Sequence, residues 1–381
     1  MITNPTQLSD LLTRVEQLSR STTRKKIITG FDGFIDRIKK PVSSRRGETI
    51  EWFQTLKDFS ARIAEASGKS GQIELVTEKT KAGGNAPILA EILSRCNIDC
   101  LCIGAMGYPI VHEIFSGQDI TYRLISILEP GKSDAIELSD GKIIFSDLST
   151  FAHYNWNYVK RTAGLEILKR EAEDADLFAF ADWANLPHAS DIWEGMLNDV
   201  LRSSARTDRL FLFDLCDPSR KTDQQVKKLL ELISKFSDFG QVTLGLNENE
   251  MMRIHRQLFG SEATDVYSAA GRMFVNMSIQ NLLVHPTDRC ILIRKEGVSE
   301  LTGHVVREPR VLTGGGDNLN GGYCLGWVHG FPAESCVLLG MAASGAYIRN
   351  GYAPGLNDLK AYLKLWIADT PSLTPKPTIT V

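Results

Sequence analysis

No stretch of the sequence approaches 18 uninterrupted apolar residues, so no membrane-spanning helix is expected. Near the start, Leu8, Leu11, Leu12, Val15 and Leu18 fall at helical spacing and no apolar core follows Met1. That predicts an amphipathic helix and not a signal peptide. No CxxC pair exists among the seven cysteines, and only Cys100 and Cys102 lie close together. The scatter excludes a zinc ribbon and predicts reduced thiols in a cytoplasmic protein. No long basic block appears; the densest runs are 24–26 and 43–48, within a net charge of −3 from 43 basic and 46 acidic residues. A nucleic-acid partner therefore has no electrostatic footprint. Repeats at solenoid periods are missing too.

What is present alternates. Short apolar runs at 26–30, 99–105, 176–181, 209–214, 241–245, 281–285 and 290–294 are separated by helical patterns such as 86–96, 191–204 and 222–236. Several runs are too continuously apolar for one-sided strands and suit a parallel sheet covered on both faces. The alternation predicts a three-layer α/β/α sandwich with a central, mostly parallel sheet. Length allows two or three domains, or one large α/β domain with insertions; the even rhythm favours a single domain over 1–381. Residues 36–50, 72–82 and 119–150 break that rhythm and read as a small β-rich lid. Within it, Asp140-Gly141 between alternating runs predicts a hairpin with a type I′ turn. The last third reads as three helices, followed by a Pro/Thr-rich tail, "PSLTPKPTITV".

The stretch "TGGGDNLNGG" at 313–322 poses the chemical question. Glycines let a backbone approach an anion closely, and a helix start offers unpaired N–H groups and the positive dipole end. Asp317 then stands beside an anion hole, where a carboxylate can take a proton from an attacking hydroxyl. The other reading is that Asp317 caps a helix and the glycines make a turn. The Walker A lysine and a G-x-G-x-x-G after the first strand are both missing, since Asp32 occupies the second glycine position there.

The stretch resembles the second signature of the ribokinase-like (PfkB) carbohydrate kinases, in which a G-x-G-D helix start carries the catalytic base. Other segments follow in that family's order. "GGNAPILA" at 83–90 resembles the sugar-contacting first signature. "NENE" at 247–250, after an apolar run, matches Asn-x-x-Glu. "FDLCDPSR" at 213–220 and "NLLVHPTDRCILIRKEG" at 281–297 resemble the segments beside the nucleotide, and "ITGFDGFIDRI" at 28–38 resembles the first strand with its substrate-binding acid. The resemblance covers roughly 26–352.

It implies an ATP-dependent kinase that phosphorylates a hydroxyl of a sugar or sugar-like substrate. Asp317 is the implied base and the amides of Gly314, Gly315 and Gly316 the anion hole. Asp36, Gly83, Gly84 and Asn85 are the implied substrate contacts, with Asp32 the alternative to Asp36. Asn247 and Glu250 would position Mg²⁺, largely through water, and His285 and Thr287 would lie beside the nucleotide. For Asp214 and Asp217, helix capping is preferred over a water-mediated metal contact. No H-x-E is present, which favours ATP over ADP as donor.

Val311 and Leu312 stand where many relatives carry the aspartate that helps hold a monovalent cation, so that cation is not expected. Pro87 or Ile88 replaces a second asparagine. Homodimers through the lid are common in the family. Two alternatives stay open: a nucleoside kinase, with Phe31, Phe34 and Tyr108 as stacking rings, and a non-catalytic sugar- or nucleotide-binding regulator.

Overall fold

The computed structural model describes residues 4–117, 120–311 and 313–370. Leu312, residue 119 and the tail 371–381 lie outside them. The strands are β1 (Lys26–Gly30), β2 (Phe34–Arg46), β3 (Thr49–Trp52), β4 (Leu75–Gly83), β5 (Asp99–Gly104), β6 (Arg123–Ser126), β7 (Gly131–Leu138), β8 (Gly141–Asp147), β9 (Leu177–Phe180), β10 (Arg209–Asp214), β11 (Gly240–Leu246), β12 (Asn281–Val284), β13 (Arg289–Arg294) and β14 (Gly297–Thr302). Nine of them form the main sheet, in the order β14-β13-β12-β11-β10-β9-β1-β5-β6. It is parallel from β12 to β6; β13 and β14 are added as antiparallel hairpins.

The continuous apolar runs have a direct cause. Phe178, Phe180, Phe211 and Phe213 point into one core, stacked in pairs across the strands, with Phe236 edge-on and Trp193 tilted against them. Their neighbours Leu177, Ala179 and Leu212 point into the other. Each strand is buried on both sides because helices cover both faces. The helices Asn85–Arg95, Gly315–Val328, Ala333–Asn350 and Leu356–Asp369 pack on the second face, with the predicted amino-terminal helix Pro5–Leu18. Cys100 and Cys102 share that face, and every described cysteine is a free thiol.

A second sheet forms the lid: β3-β2-β7-β8, with β4 paired to the other edge of β2. Two expectations are corrected. The segment 119–150 is not all lid, because β6 joins the main sheet beside β5, where Leu124 and Ile125 each pack toward a different core. The hairpin turn is shifted by one residue: Leu138 pairs with Gly141, leaving Ser139 and Asp140 as the loop. Gly141 has φ +153° but Asp140 is not left-handed, so the turn is not type I′. Asp140 instead caps another helix, accepting from the amides of Leu56 at 2.6 Å and Lys57 at 3.3 Å.

From β1 the chain runs outward to β5 and β6, then returns to the other side of β1 for β9 to β12. The order of strands reverses at β1, and the crevice outside the carboxyl ends of such strands is where α/β sheets bind ligands. Among the described residues no helix is long and apolar enough to cross a membrane.

Candidate active site

The carboxyl ends of five adjacent strands each deliver a polar side chain to one crevice. Asp32 follows β1, Asp182 follows β9, Asp214 ends β10, Asn247 follows β11 and His285 follows β12. The helix Gly315–Val328 faces them with its amino terminus.

That helix starts at Gly314, which is left-handed with φ +99°. A side chain there would be strained, and its Cβ would stand 2.9 Å from the Tyr347 hydroxyl. No side chain caps the helix. Asp317 is its third residue and half-buried, so the capping reading fails. Among the described residues the Asp317 carboxylate makes no hydrogen bond, and the amides of Gly315, Gly316 and Asp317 have no acceptor. A free carboxylate thus stands beside free N–H donors at the positive end of a dipole. Burial holds the Asp317 carboxyl well above the usual range; Asp214 and Asp32 push the same way, and Lys81 opposes them.

Asp214 is tied to the same helix. Its carboxylate accepts from Asn320 Nδ2 at 2.5 Å and from the amide of Cys216 at 3.2 Å. It caps no helix, contrary to the sequence expectation; Asp217 does, accepting from the Ser219 amide at 3.0 Å.

The Asn-x-x-Glu residues form a capping box. Asn247 accepts from the Glu250 amide and Glu250 from the Asn247 amide, each at 2.9 Å. Glu250 is 8% exposed. Its pKa is raised to about 8 by burial and then by Asp214. Among the described residues no three His, Cys, Asp or Glu side chains converge as a direct metal site. A hydrated Mg²⁺ still fits here, because a crowded, uncompensated pair of acids is what a divalent cation relieves.

His285 adjoins the glycines: a Cβ on Gly316 would lie 3.6 Å from its ring. Burial lowers its pKa to about 4, so near neutral pH it is an uncharged donor. Thr287 is exposed in the turn between β12 and β13.

Beside the lid, Asp32 and Asp36 differ in what they hold. Asp32 is fully buried and holds the amides of Asn85 at 2.6 Å and Ala86 at 2.8 Å, so it anchors the helix Asn85–Arg95. Asp36 is half-buried on β2, with one oxygen accepting from Ser133 Oγ at 2.5 Å. Its carboxylate lies against Gly83, where a Cβ would come within 2.3 Å. Asp36 is thus the acid with an oxygen free for a hydroxyl.

Two residues of the crevice were not singled out from spacing. Asp182 is buried with φ +57°, one oxygen held by Asn185 at 2.6 Å and the other unpartnered. Cys216, at φ +58°, accepts from Asn85 Nδ2 at 3.3 Å. Asp182 was legible as an acid ending the apolar run "LFAFAD", the pattern that also marks Asp214.

The lid reaches the glycine loop. Thr313 Oγ1 donates to Glu137 of β7 and accepts from Lys142 of β8 at 3.3 Å. Phe31 and Phe34, read as stacking rings for a nucleoside, are 1% and 6% exposed and packed against Phe180 and Phe151. Only Tyr108 of that trio is exposed.

Residues 5–366 match the model of the prokaryotic ketohexokinase family. A ketohexokinase from Haloferax volcanii is 24% identical over 350 residues, covering 91% of this chain and 93% of that protein. Ribokinase from Thermotoga maritima superposes with a TM-score of 0.61 at 17% identity, over 90% of this chain and all of that one (100%). A putative ribokinase II from E. coli, in complex with ATP and Mg²⁺, does so at 0.59 and 12% identity, over 90% and 100%. Fold, glycine-helix geometry and family match agree: the chain belongs to the prokaryotic ketohexokinase family and is a carbohydrate kinase of the ribokinase-like (PfkB) group.

Proposed function

We propose that this protein transfers the γ-phosphoryl group of Mg·ATP to a hydroxyl of a ketohexose. The observation that carries the reading is Asp317: a carboxylate that, among the described residues, is unbonded, in the first turn of a helix whose own leading amides lack acceptors there. The substrate hydroxyl gives its proton to Asp317. Its oxygen forms the new bond to the γ-phosphorus, and the bond to the β-phosphate oxygen breaks, leaving its electron pair on ADP. The amides of Gly314, Gly315 and Gly316 take the charge on the moving group. Asp36 and the Gly83-Gly84-Asn85 turn hold the sugar. Asn247 and Glu250, with Asp214 behind them, are the residues that would hold a hydrated Mg²⁺, which supplies charge neutralisation on the phosphates when bound. His285 and Thr287 border the donor.

A ketohexose is preferred because the family match and the curated relative are both ketohexokinases. Burial of Phe31 and Phe34 removes two of the rings a nucleoside would need. The free thiols support a cytoplasmic setting. The outer lid strand β8 exposes Ile143, Ile144 and Phe145 at 41%, 41% and 49%, which supports a homodimer formed through the lid.

The test is ADP production from Mg·ATP over ketohexoses, aldoses and nucleosides, with Asp317→Asn as control. Turnover on a ketohexose that drops by about 10³-fold in the variant is expected. Equal turnover in Asp317→Asn would sink the mechanism, and turnover on nucleosides alone would replace the acceptor.

A further inference from the structure

The acids of the crevice are poorly balanced by positive charge. Asp32, Asp36, Asp214, Glu250 and Asp317 surround the phosphate end; among the described residues Lys81 is the cation that acts on Asp317, and Lys142 joins it at Asp36. Lys81 comes from the lid. In the β2–β4 register it lies opposite Asp36. Its Nζ donates to the Tyr347 hydroxyl at 3.5 Å, and that hydroxyl donates to the Thr313 carbonyl at 2.9 Å. The same hydroxyl lies 2.9 Å from the position of a Cβ on Gly314. The ammonium therefore reaches the loop that opens the glycine helix through the Tyr347 hydroxyl, two hydrogen bonds in series. Lys81 is half-buried and, among the described residues, makes no ion pair. A half-buried ammonium without a carboxylate partner costs solvation unless an anion joins it.

We propose that Lys81 is a catalytic residue: its ammonium closes the amide cradle from the lid side and neutralises the phosphoryl group during transfer. This rests on the phosphotransfer reading above. Asp317 alone takes the hydroxyl proton, the acceptor oxygen bonds to phosphorus and ADP leaves with the electron pair. The amides contribute only partial charges, whereas the lid adds a whole one where charge develops. Because the cation rides on the lid, base and full positive charge meet only when the lid lies against Thr313. Water is then excluded as the site becomes complete.

The experiment is steady-state kinetics of Lys81→Ala, Lys81→Met and Lys81→Arg on the acceptor that the wild type uses, with and without methylammonium. For Lys81→Ala, kcat is expected to fall about 100-fold, with sugar KM within about threefold. Added methylammonium should recover part of the loss, and Lys81→Arg should keep about a tenth of wild-type kcat. The acid limb of kcat/KM should also move to higher pH. Asp317 is faced by Asp32 from β1, Asp36 from β2 and Asp214 from β10, with Tyr347 and neutral His285 nearby, so removing the lysine leaves its proton held more tightly. A merely structural lysine would move neither the limb nor the response to the amine. Lys81→Met keeps the stem and serves if Lys81→Ala melts early. Variant kcat within threefold of wild type, with an unmoved pH profile, overturns the proposal while the kinase reading stands. A wild type inactive on every acceptor overturns both.

Discussion

Asn320 donates its side-chain amide to Asp214 at 2.5 Å, joining the carboxyl end of β10 to the glycine helix. Asn320 lies three residues after Asp317 and so on the same helix face. The bond fixes how Asp317 and the helix's leading amides stand against the sheet. Asp214 is 9% exposed, and removing its donor leaves a buried carboxylate short of a partner. Asn320→Ala should cost about 1–3 kcal/mol of stability, read as a lowered urea midpoint with an unchanged m-value. An unchanged midpoint would show that the tie carries no stability.

Gly83 should separate stability from substrate binding. A Cβ there would meet the Asp36 carboxyl group at 2.3–2.4 Å. The obstacle is the end of a side chain, so Asp36 can swing away and the fold survives. Its bond to Ser133 is lost, and with it the orientation in which Asp36 is proposed to meet the sugar. Gly83→Ala is expected to raise sugar KM about tenfold or more, with ATP KM and melting temperature close to wild type. A rise in ATP KM instead would place Asp36 on the wrong side of the site.

Stability should depend on pH in a direction set by the buried acids. Folded, Glu250 stays protonated up to about 8; unfolded, a glutamate ionises near about 4.3. Between those values the folded state binds more protons, so its stability falls as pH rises. Asp182 and Asp317 are raised too and act in the same direction. His285, lowered to about 4, opposes them only below about 6.5, where an unfolded histidine takes its proton. In a chelator, the melting temperature should therefore drop from pH 6.5 to 8. Magnesium should flatten that slope by favouring ionised Glu250 and Asp214. Identical slopes with and without the ion would argue against Glu250 as part of its site.

The exposed triplet Ile143-Ile144-Phe145 lies on an edge strand, where unpaired backbone groups also invite a partner. Wild-type protein should sediment as a dimer, and Phe145→Glu should shift it toward monomer without changing the far-ultraviolet spectrum. A wild type that sediments as a monomer across the micromolar range would remove the lid as an interface.

Much of the architecture was legible because its cause is local. Period-2 burial against two cores makes β9, β10 and β11 continuously apolar, and a chain cannot hide that composition. The glycine run announced its helix start, since few other sequences leave amides open to an anion. Asn247 and Glu250 were legible as a pair, but not as a capping box beside Asp214. The crowd of acids arises from residues far apart in the chain: Asp32, Asp182, Asp214, Glu250 and Asp317 meet only because parallel strands end at one edge. Phe31 and Phe34 misled for the same reason, since an aromatic beside a motif gives no sign of whether it faces ligand or core.

By itself, then, the sequence determined the alternation of elements, the two-sided sheet, the glycine helix start and the aspartate in its first turn, all set by composition and short spacing. Only the tertiary structure decided which acid anchors a helix and which stays free, where β6 pairs, and which lysine the lid brings to Tyr347 beside the glycine loop. Those outcomes depend on strand register and on which carboxylates share a buried volume, and neither is encoded by neighbours along the chain.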